Sequence, residues 1–362
     1  MIKPLEVPVI PNSPLSKKNK KMNSGKILLR KNKSTGFIEN SLFQVKKIKY
    51  DDDYQNDQSN SLQFKNHMMN MLKILKKNFS KNSKLIEVGC GKGEFLSIVR
   101  KEKYFQYQGY DSTYQGNNKN IFKRYLKKTD NIQADVVVLR HVLEHIKEPH
   151  IFLKKMKKIF GDTNIFIEVP NYDWIIRNNA FYDITYEHVN YFSKKSLASI
   201  FNNQFQTRGL CFNNQYQYFL GNLKNISYNF EKKYEKKKYW IYLDFYKLFP
   251  KIKTTLNHIE SISSKYKNIY IWGAATKGCM FLVHCSDNNK LKKKIKNAVD
   301  INKFKCGKYL PISKIKIIHK NEFMKKVNSK EDLLLISNPN YKREIMKELK
   351  ENSLNRIKTL CL

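Results

Sequence analysis

Three stretches of this chain place ligand-binding or reactive residue types where apolar runs end. In the stretch L-I-E-V-G-C-G-K-G-E-F-L, from Leu85 to Leu96, Glu87 closes a short apolar run and three alternating glycines follow. Gly89, Gly91 and Gly93, with Cys90 among them, let a backbone turn sharply and approach a ligand where a Cβ would obstruct it. Asp111 ends the run Tyr107-Gln-Gly-Tyr-Asp111, about 20 residues on, the separation at which an acid meets a ribose hydroxyl pair. The second stretch is Arg140-His-Val-Leu-Glu-His145, directly after the apolar Asp135-Val-Val-Val-Leu139. The third is Phe181-Tyr-Asp-Ile-Thr-Tyr-Glu-His188-Val-Asn-Tyr-Phe-Ser193, which sets a carboxylate beside an imidazole.

Each stretch has a plainer reading. A glycine turn after a strand fits dinucleotide sites, S-adenosylmethionine sites and simple turns alike. H-x-x-E-H on a helix is a zinc-peptidase pattern, with both histidines on one face. Here it starts at a strand end inside a β-α-β series, where Glu144 and His145 can cap or brace the following helix. Arg140 and His141 then face a ligand, because ligands in such sheets lie outside the carboxyl ends of the strands. No metal ligand set is assigned. The Glu187-His188 pair alone fits the polar lip of a turn before a helix that Ser193 caps.

The elements that must hold these residues follow from periodicity. Residues 1–45, rich in Pro, Lys, Asn and Ser, read as an extended or partly disordered arm. Asp51, Asp52 and Asp53 read as a solvated turn and helix cap rather than a cation site. A helix is predicted from Leu62 to Phe79, a strand ending at Glu87, a helix from Glu94 to Lys101 and a strand ending at Asp111. The run 135–139 has the uninterrupted apolar character of a parallel strand buried on both faces. A helix over 151–160 and a strand over 164–169 complete a Rossmann-like unit spanning 46–225. Residues 226–268 read as a charged, helical connection. From 269 to 362 the logic repeats in a second, smaller α/β unit: Ile269-Tyr-Ile-Trp-Gly-Ala-Ala-Thr-Lys-Gly278, then Asn297-Ala-Val-Asp300, then Leu333-Leu-Leu-Ile-Ser-Asn-Pro-Asn-Tyr341.

The acid before G-x-G-x-G, the strand-end acid and the H-V-L-E-H-I string resemble the class I S-adenosylmethionine-dependent methyltransferases. The 181–193 stretch is similar to a narrower group, the C-methyltransferases that build branched deoxysugars on nucleotide carriers. Glu187, His188, Tyr191 and Phe192 match that group's F-D-x-I-Y-H-E-H-x-x-Y-F pattern. Thr185 stands where the group has a tyrosine, and Tyr186 follows it. The second unit matches as well, through G-A-x-x-K-G at 273–278, V-D-x-N-x-x-K-x-G at 299–307 and N-Y-x-x-E-I at 340–345. The group's N-terminal four-cysteine zinc module has no counterpart, since the first cysteine is Cys90. The resemblance implies S-adenosylmethionine as cofactor, held by the glycine turn, Asp111, Arg140 and His141, with Tyr54 and Ser61 over its methionine end. It implies a nucleotide-linked keto-sugar as substrate. His188 is then the base, Glu187 orients or polarises it, and Tyr186 or Tyr191 lies near the sugar. Lys277 and Asn338 are the substrate contacts offered by the second unit, Lys277 toward a diphosphate at a helix N-terminus.

Composition leaves other acceptors open. A net charge of +38 invites a nucleic-acid reading. The excess, however, is 61 Lys against eight Arg spread along the chain, without the Arg-rich, aromatic groove that base and phosphate recognition favours. O- or N-methylation of a glycan or small metabolite is the main alternative, followed by RNA or protein methylation; a binding protein with a degenerate site is disfavoured by the intact glycine turn. The cysteines form no C-x-x-C pair and read as reduced thiols of a cytoplasmic protein. No basic-then-apolar leader or membrane span is expected.

Overall fold

The computed structural model describes residues 2–50, 54–55, 61–127, 129–286 and 288–362. Asp51, Asp52 and Asp53 lie outside the described residues. The chain begins with four short strands, β1 (Leu5–Pro8), β2 (Ser24–Ile27), β3 (Leu29–Asn32) and β4 (Ile38–Asn40). The stretch expected to be an extended or partly disordered arm is thus woven into the protein, with Val7, Val9, Ile27, Leu29, Phe37 and Ile38 all buried. One apolar residue at every second position suffices to bury a face of a short strand, and among so many lysines that alternation is hard to see.

The first α/β unit contains α1 (Leu62–Asn78), β5 (Lys84–Val88), α2 (Glu94–Glu102), β6 (Gln106–Tyr110), β7 (Ile121–Phe122), β8 (Val136–Arg140), α3 (Pro149–Phe160) and β9 (Asn164–Pro170). It continues through α4 (Tyr172–Arg177), β10 (Asn190–Tyr191), α5 (Lys194–Ser199), β11 (Thr207–Cys211) and β12 (Tyr216–Asn222). The connection holds α6 (Tyr228–Glu235), β13 (Trp240–Tyr242), α7 (Phe245–Leu248) and α8 (Ile252–Ser263). The second unit has β14 (Asn268–Trp272), α9 (Thr276–His284), α10 (Asn289–Lys294), β15 (Ile295–Asp300), β16 (Ile317–His319), α11 (Lys320–Lys326), β17 (Asp332–Ile336), α12 (Lys342–Glu351) and β18 (Lys358–Cys361).

The main sheet has the order β11-β12-β9-β8-β5-β6-β7. Its pairs from β9 to β7 are parallel, while β12 runs antiparallel to both neighbours. The strand order reverses at the β5/β8 junction, and a crevice opens at the carboxyl ends of strands where such a reversal occurs. β5, β8 and β9 all point their carboxyl ends there, which places Glu87, Arg140 and Glu168 side by side. The second sheet, β16-β15-β14-β17-β18, is parallel throughout.

The connection is not merely helical, because β13 pairs with β3 and β10 with β4 to make a four-stranded sheet. One apolar core joins the N-terminal strands (Val7, Ile27), the 172–191 segment (Phe181, Tyr186) and the second sheet (Ile271, Leu335). Burial on this scale, at about 25 cal/mol per Å² of apolar surface, ties the loop carrying Glu187 and His188 to three parts of the chain. Among the described residues no helix is long and apolar enough to cross a membrane.

Candidate active site

The glycine turn forms at the end of β5. Gly89, Gly91 and Gly93 take φ of 75°, 55° and 77°, a region that L side chains rarely adopt. A Cβ on Gly89 would meet Val142 Cγ2 at 2.5 Å and one on Gly93 would meet Ile121 Cδ1 at 2.5 Å, whereas one on Gly91 would meet nothing within 4 Å. Gly89 and Gly93 are therefore required by packing, and Gly91 faces open space. Asp111 is fixed beside the turn: Gly91 N donates to Oδ2 at 2.8 Å, and Thr113 N and Oγ1 donate to Oδ1 at 2.8 and 2.7 Å. The Cys90 side chain does not face this space. It packs in the core against Gly109, and burial pushes its thiol up.

Behind the turn lies a buried ionic cluster. Arg140 and Glu168 are register partners on adjacent parallel strands, and Arg140 Nε donates to Glu168 Oε2 at 2.7 Å. Glu168 Oε1 also meets His67 Nε2, from α1, at 2.5 Å and His141 Nε2 at 3.4 Å. Burial opposes ionisation of Glu168, but Arg140, His67 and His141 outweigh it and hold its carboxyl well below the usual range. Burial likewise opposes charge on His141, and Glu168 with Glu144 overrides it, pushing the ring up to about 9. Glu87, 4.0 Å from Arg140 Nη1, is pushed up to about 7 by burial against the pull of Arg140. Glu87 Oε2 and Arg140 Nη2 are buried without a hydrogen-bond partner. An acceptor and a donor left over side by side suit a ligand end that carries both an ammonium and a carboxylate.

The third stretch closes the other side. Residues 143–145 form a 3₁₀ turn after His141, whose φ is 53°, so His141 and His145 do not share a helical face as the zinc-peptidase pattern requires. His145 Nδ1 is 2.9 Å from the Glu187 carbonyl; a carbonyl only accepts, so Nδ1 donates and Nε2 keeps its lone pair. The His145 and His188 rings meet edge to face, 4.8 Å apart. Tyr191 braces this loop, its hydroxyl donating to Thr185 O and accepting from Thr185 N, both at 2.9 Å. Thr185 Oγ1 in turn accepts the His188 N–H at 3.3 Å. Glu144 Oε1 is ion-paired with His141 Nδ1 at 3.4 Å, while Glu144 Oε2 and Glu187 Oε2 are buried and have no hydrogen-bond partner. Burial, then the nearby Glu144, pushes Glu187 up to about 8. Burial, then His145, keeps the His188 ring well below its ordinary value, so it is neutral at pH 7.

Several expected contacts are placed elsewhere. Tyr186 is a core residue: it packs on Phe43, and its hydroxyl accepts the Gln44 N–H at 2.8 Å. Tyr191 is a brace without an open hydroxyl. Ser61 caps α1 and donates to Glu344 at 2.6 Å. Asn338 is buried, accepting from Gln215 Nε2 at 2.8 Å and Asn340 N at 3.1 Å. The Lys277 ammonium is paired with Asp183 and lies 5.6 Å from the Trp174 ring centre, so a diphosphate would have to displace Asp183. Tyr54 packs against Tyr50, the ring centres 4.6 Å apart and the planes tilted by 54°. Burial, then the acidic groups of Glu187 and Glu144, push the Tyr50 phenol up.

Glu168, His67 and Tyr50 were absent from the sequence reading. Glu168 had a signal, because F-I-E-V-P repeats the I-E-V of β5: a carboxylate inside an apolar run. His67 sits in an ordinary amphipathic helix and had none. Among the described residues, two groups have ligand atoms within 4.8 Å of one another, His67 with Glu168 and Cys211, and Glu144 with His145 and His188. The first already consumes its carboxylate in ion pairs; the second could take a cation or a polar acceptor.

A Rossmann-like sheet with this switch-point cradle, followed by a second parallel α/β unit, defines a nucleotide-binding type of α/β architecture. Residues 64–205 match the model of a methyltransferase domain, and residues 222–359 match that of a C-methyltransferase C-terminal domain. The chain is an S-adenosylmethionine-dependent methyltransferase. Among solved structures, a SAM-dependent methyltransferase from Aquifex aeolicus is 14% identical over 42% of this chain and 88% of that one, with a TM-score of 0.32. A magnesium protoporphyrin IX methyltransferase from Synechocystis is 12% identical over 44% and 84%, with a TM-score of 0.35. The N-methyltransferase NodS from Bradyrhizobium japonicum is 12% identical over 46% and 97%, with a TM-score of 0.33. Likenesses this distant carry no argument about the acceptor. No curated protein matches the chain.

Proposed function

We propose that this enzyme methylates a carbon of a nucleotide-linked keto-deoxysugar. The observation that carries the reading is the half-buried, neutral His188, set edge to face with His145 and next to Glu187, whose Oε2 is buried without a hydrogen-bond partner. It is supported by the match of the second unit to a C-methyltransferase C-terminal domain. S-adenosylmethionine supplies an electrophilic methyl group when bound. Asp111 would hold its ribose hydroxyls, Glu87 and Arg140 the amine and carboxylate of its methionine end, and Gly91 the close approach of backbone to ligand.

A hydrogen on the carbon next to a carbonyl is acidic enough for an imidazole to remove once the resulting enolate is stabilised. His188 takes that proton and becomes imidazolium, while the electron pair of the C–H bond forms the C=C bond of the enolate and the carbonyl π pair moves onto the oxygen. Glu187 is a neutral acid below about pH 8 and can donate a hydrogen bond to that oxygen. Glu144 accepts from a sugar hydroxyl. His145, Thr185 and Tyr191 keep the loop in place and need not touch the substrate. Alignment supplies the remaining acceleration, since the methyl group is already activated.

The test is an acceptor screen with cofactor carrying a ¹³C methyl group. Appearance of a carbon-bound methyl signal on a nucleotide-linked keto-sugar supports the reading; an ether or amine methyl as the sole product rejects it in favour of O- or N-methylation. The spacing of Glu144, His145 and His188 favours one second reading, in which a divalent cation holds the enolate oxygen. Full activity after exhaustive chelation removes that alternative.

A pH profile follows from the same geometry. A base works deprotonated, and a histidine whose pKa lies well below 6.5 stays deprotonated to lower pH than an exposed one. The acid limb of kcat/KM is therefore expected below pH 6.5. An acid limb at or above 6.5 would mean that some other group is the base.

A further inference from the structure

The N-Y-x-x-E-I segment of the second unit has no part in the chemistry above, yet it reaches the first unit at two places. Helix α1 has no acidic residue in its own first turn, where a negative charge would complement the helix dipole and its free N–H groups. Glu344, from the first turn of α12, supplies that charge from 283 positions away. Its Oε2 accepts from Ser61 Oγ at 2.6 Å and Gln63 N at 3.3 Å, and its Oε1 accepts from Leu62 N at 3.3 Å. α1 then delivers His67 to Glu168, and Glu168 holds Arg140. The second contact is with the turn between β11 and β12. Asn340 Nδ2 donates to Phe212 O at 2.8 Å and Asn213 Nδ2 donates to Asn340 Oδ1 at 2.8 Å. Phe212 packs on His67 at 5.0 Å and stacks on Tyr216, which meets His141 edge-on at 4.6 Å.

We propose that residues 338–344 form a clamp through which the second unit sets cofactor affinity, with Glu344 as a positioning residue acting through α1, His67 and Glu168 on Arg140. The second unit thus has a task in the methyl-donor site independent of any acceptor it binds. The inference rests on the assignment of the Arg140 cluster to the cofactor.

The experiment measures S-adenosylhomocysteine binding by calorimetry for the full-length wild type, Glu344→Ala, Glu344→Gln, Glu168→Gln and Leu349→Ala. Leu349 is buried in the same helix but in the core of the second unit, so its truncation reports general loss of stability. Glu344→Ala is expected to weaken binding about three- to tenfold, the usual consequence of losing a helix cap, with Glu344→Gln intermediate. Amide exchange over residues 62–66 should rise in parallel, and kcat at saturating cofactor should stay within about twofold. Affinity unchanged in Glu344→Ala but weakened in Glu168→Gln overturns the clamp while keeping the cluster at the cofactor. Affinity unchanged in both removes the cluster assignment and the clamp with it. An equal loss in Leu349→Ala also overturns the clamp, since any destabilisation of the second unit would then suffice.

Discussion

Replacing His188 by Gln is expected to lower kcat by about 10²- to 10⁴-fold, the range a positioned general base contributes, while S-adenosylhomocysteine affinity stays at the wild-type value. Gln keeps the polarity and approximate size of the ring but cannot take a proton at neutral pH. The cofactor contacts proposed above, at Asp111, Glu87 and Arg140, do not involve the 185–191 loop, so binding and turnover should separate. The loop should also survive, because Thr185 Oγ1 bonds the His188 backbone N–H and not its ring. Steady-state kinetics with the acceptor found in the screen, together with calorimetry, check both halves. A kcat within a few-fold of wild type assigns proton removal to another group, with Glu144 and Glu187 the nearest candidates.

The second large effect is expected at Glu168. Removing one partner of a buried ion pair leaves the other charge without compensation, at a cost of about 3–5 kcal/mol. In Glu168→Ala the stranded groups would be Arg140, with Nη2 already unpartnered, and the His67 and His141 rings. Denaturant unfolding should therefore show a loss of that order, with weaker cofactor binding. A loss below about 1 kcal/mol would mean that the cluster is solvated and weakly coupled. The same cluster gives stability a pH signature. The Glu168 pKa is depressed, so its contribution is present above the unfolded value near 4.5 and fades as pH falls through the folded value. The His141 pKa is raised, so its contribution is complete below 6.5 and is lost as pH rises through about 9.

Much of this site was legible in the chain because it lies at strand ends. An apolar run that stops at Glu87 and breaks into glycines can only be a turn, and Asp111 follows at a distance set by one helix and one strand. Arg140 was placed by the same logic. Its partner Glu168 was not, although it too interrupts an apolar run, since which strands become neighbours is a property of the sheet and not of spacing. The N-terminal strands were missed for a different reason. β1, β3, β4 and β13 are three or four residues long, and β3 and β4 are held by β13 and β10 from far away in sequence, so local composition carries almost no trace of them.

The side chains nearest the proposed chemistry divide in the same way. The residue types and order of Thr185, Glu187, His188 and Tyr191 are written in the sequence, but not which of them face a ligand. Burial decided that: Tyr186 fell into the apolar core shared by three parts of the chain, and Tyr191 turned inward to hold Thr185. Ser61, Asn338 and Lys277 looked equally available and are instead bonded to Glu344, Gln215 and Asp183. Local spacing determined the two glycine turns at strand ends, because backbone conformation and strand periodicity act over a few residues; the cofactor class came from the family resemblance. Only the tertiary structure decided which polar groups were left without partners, because satisfying a buried donor or acceptor depends on whatever the fold brings within about 3 Å of it.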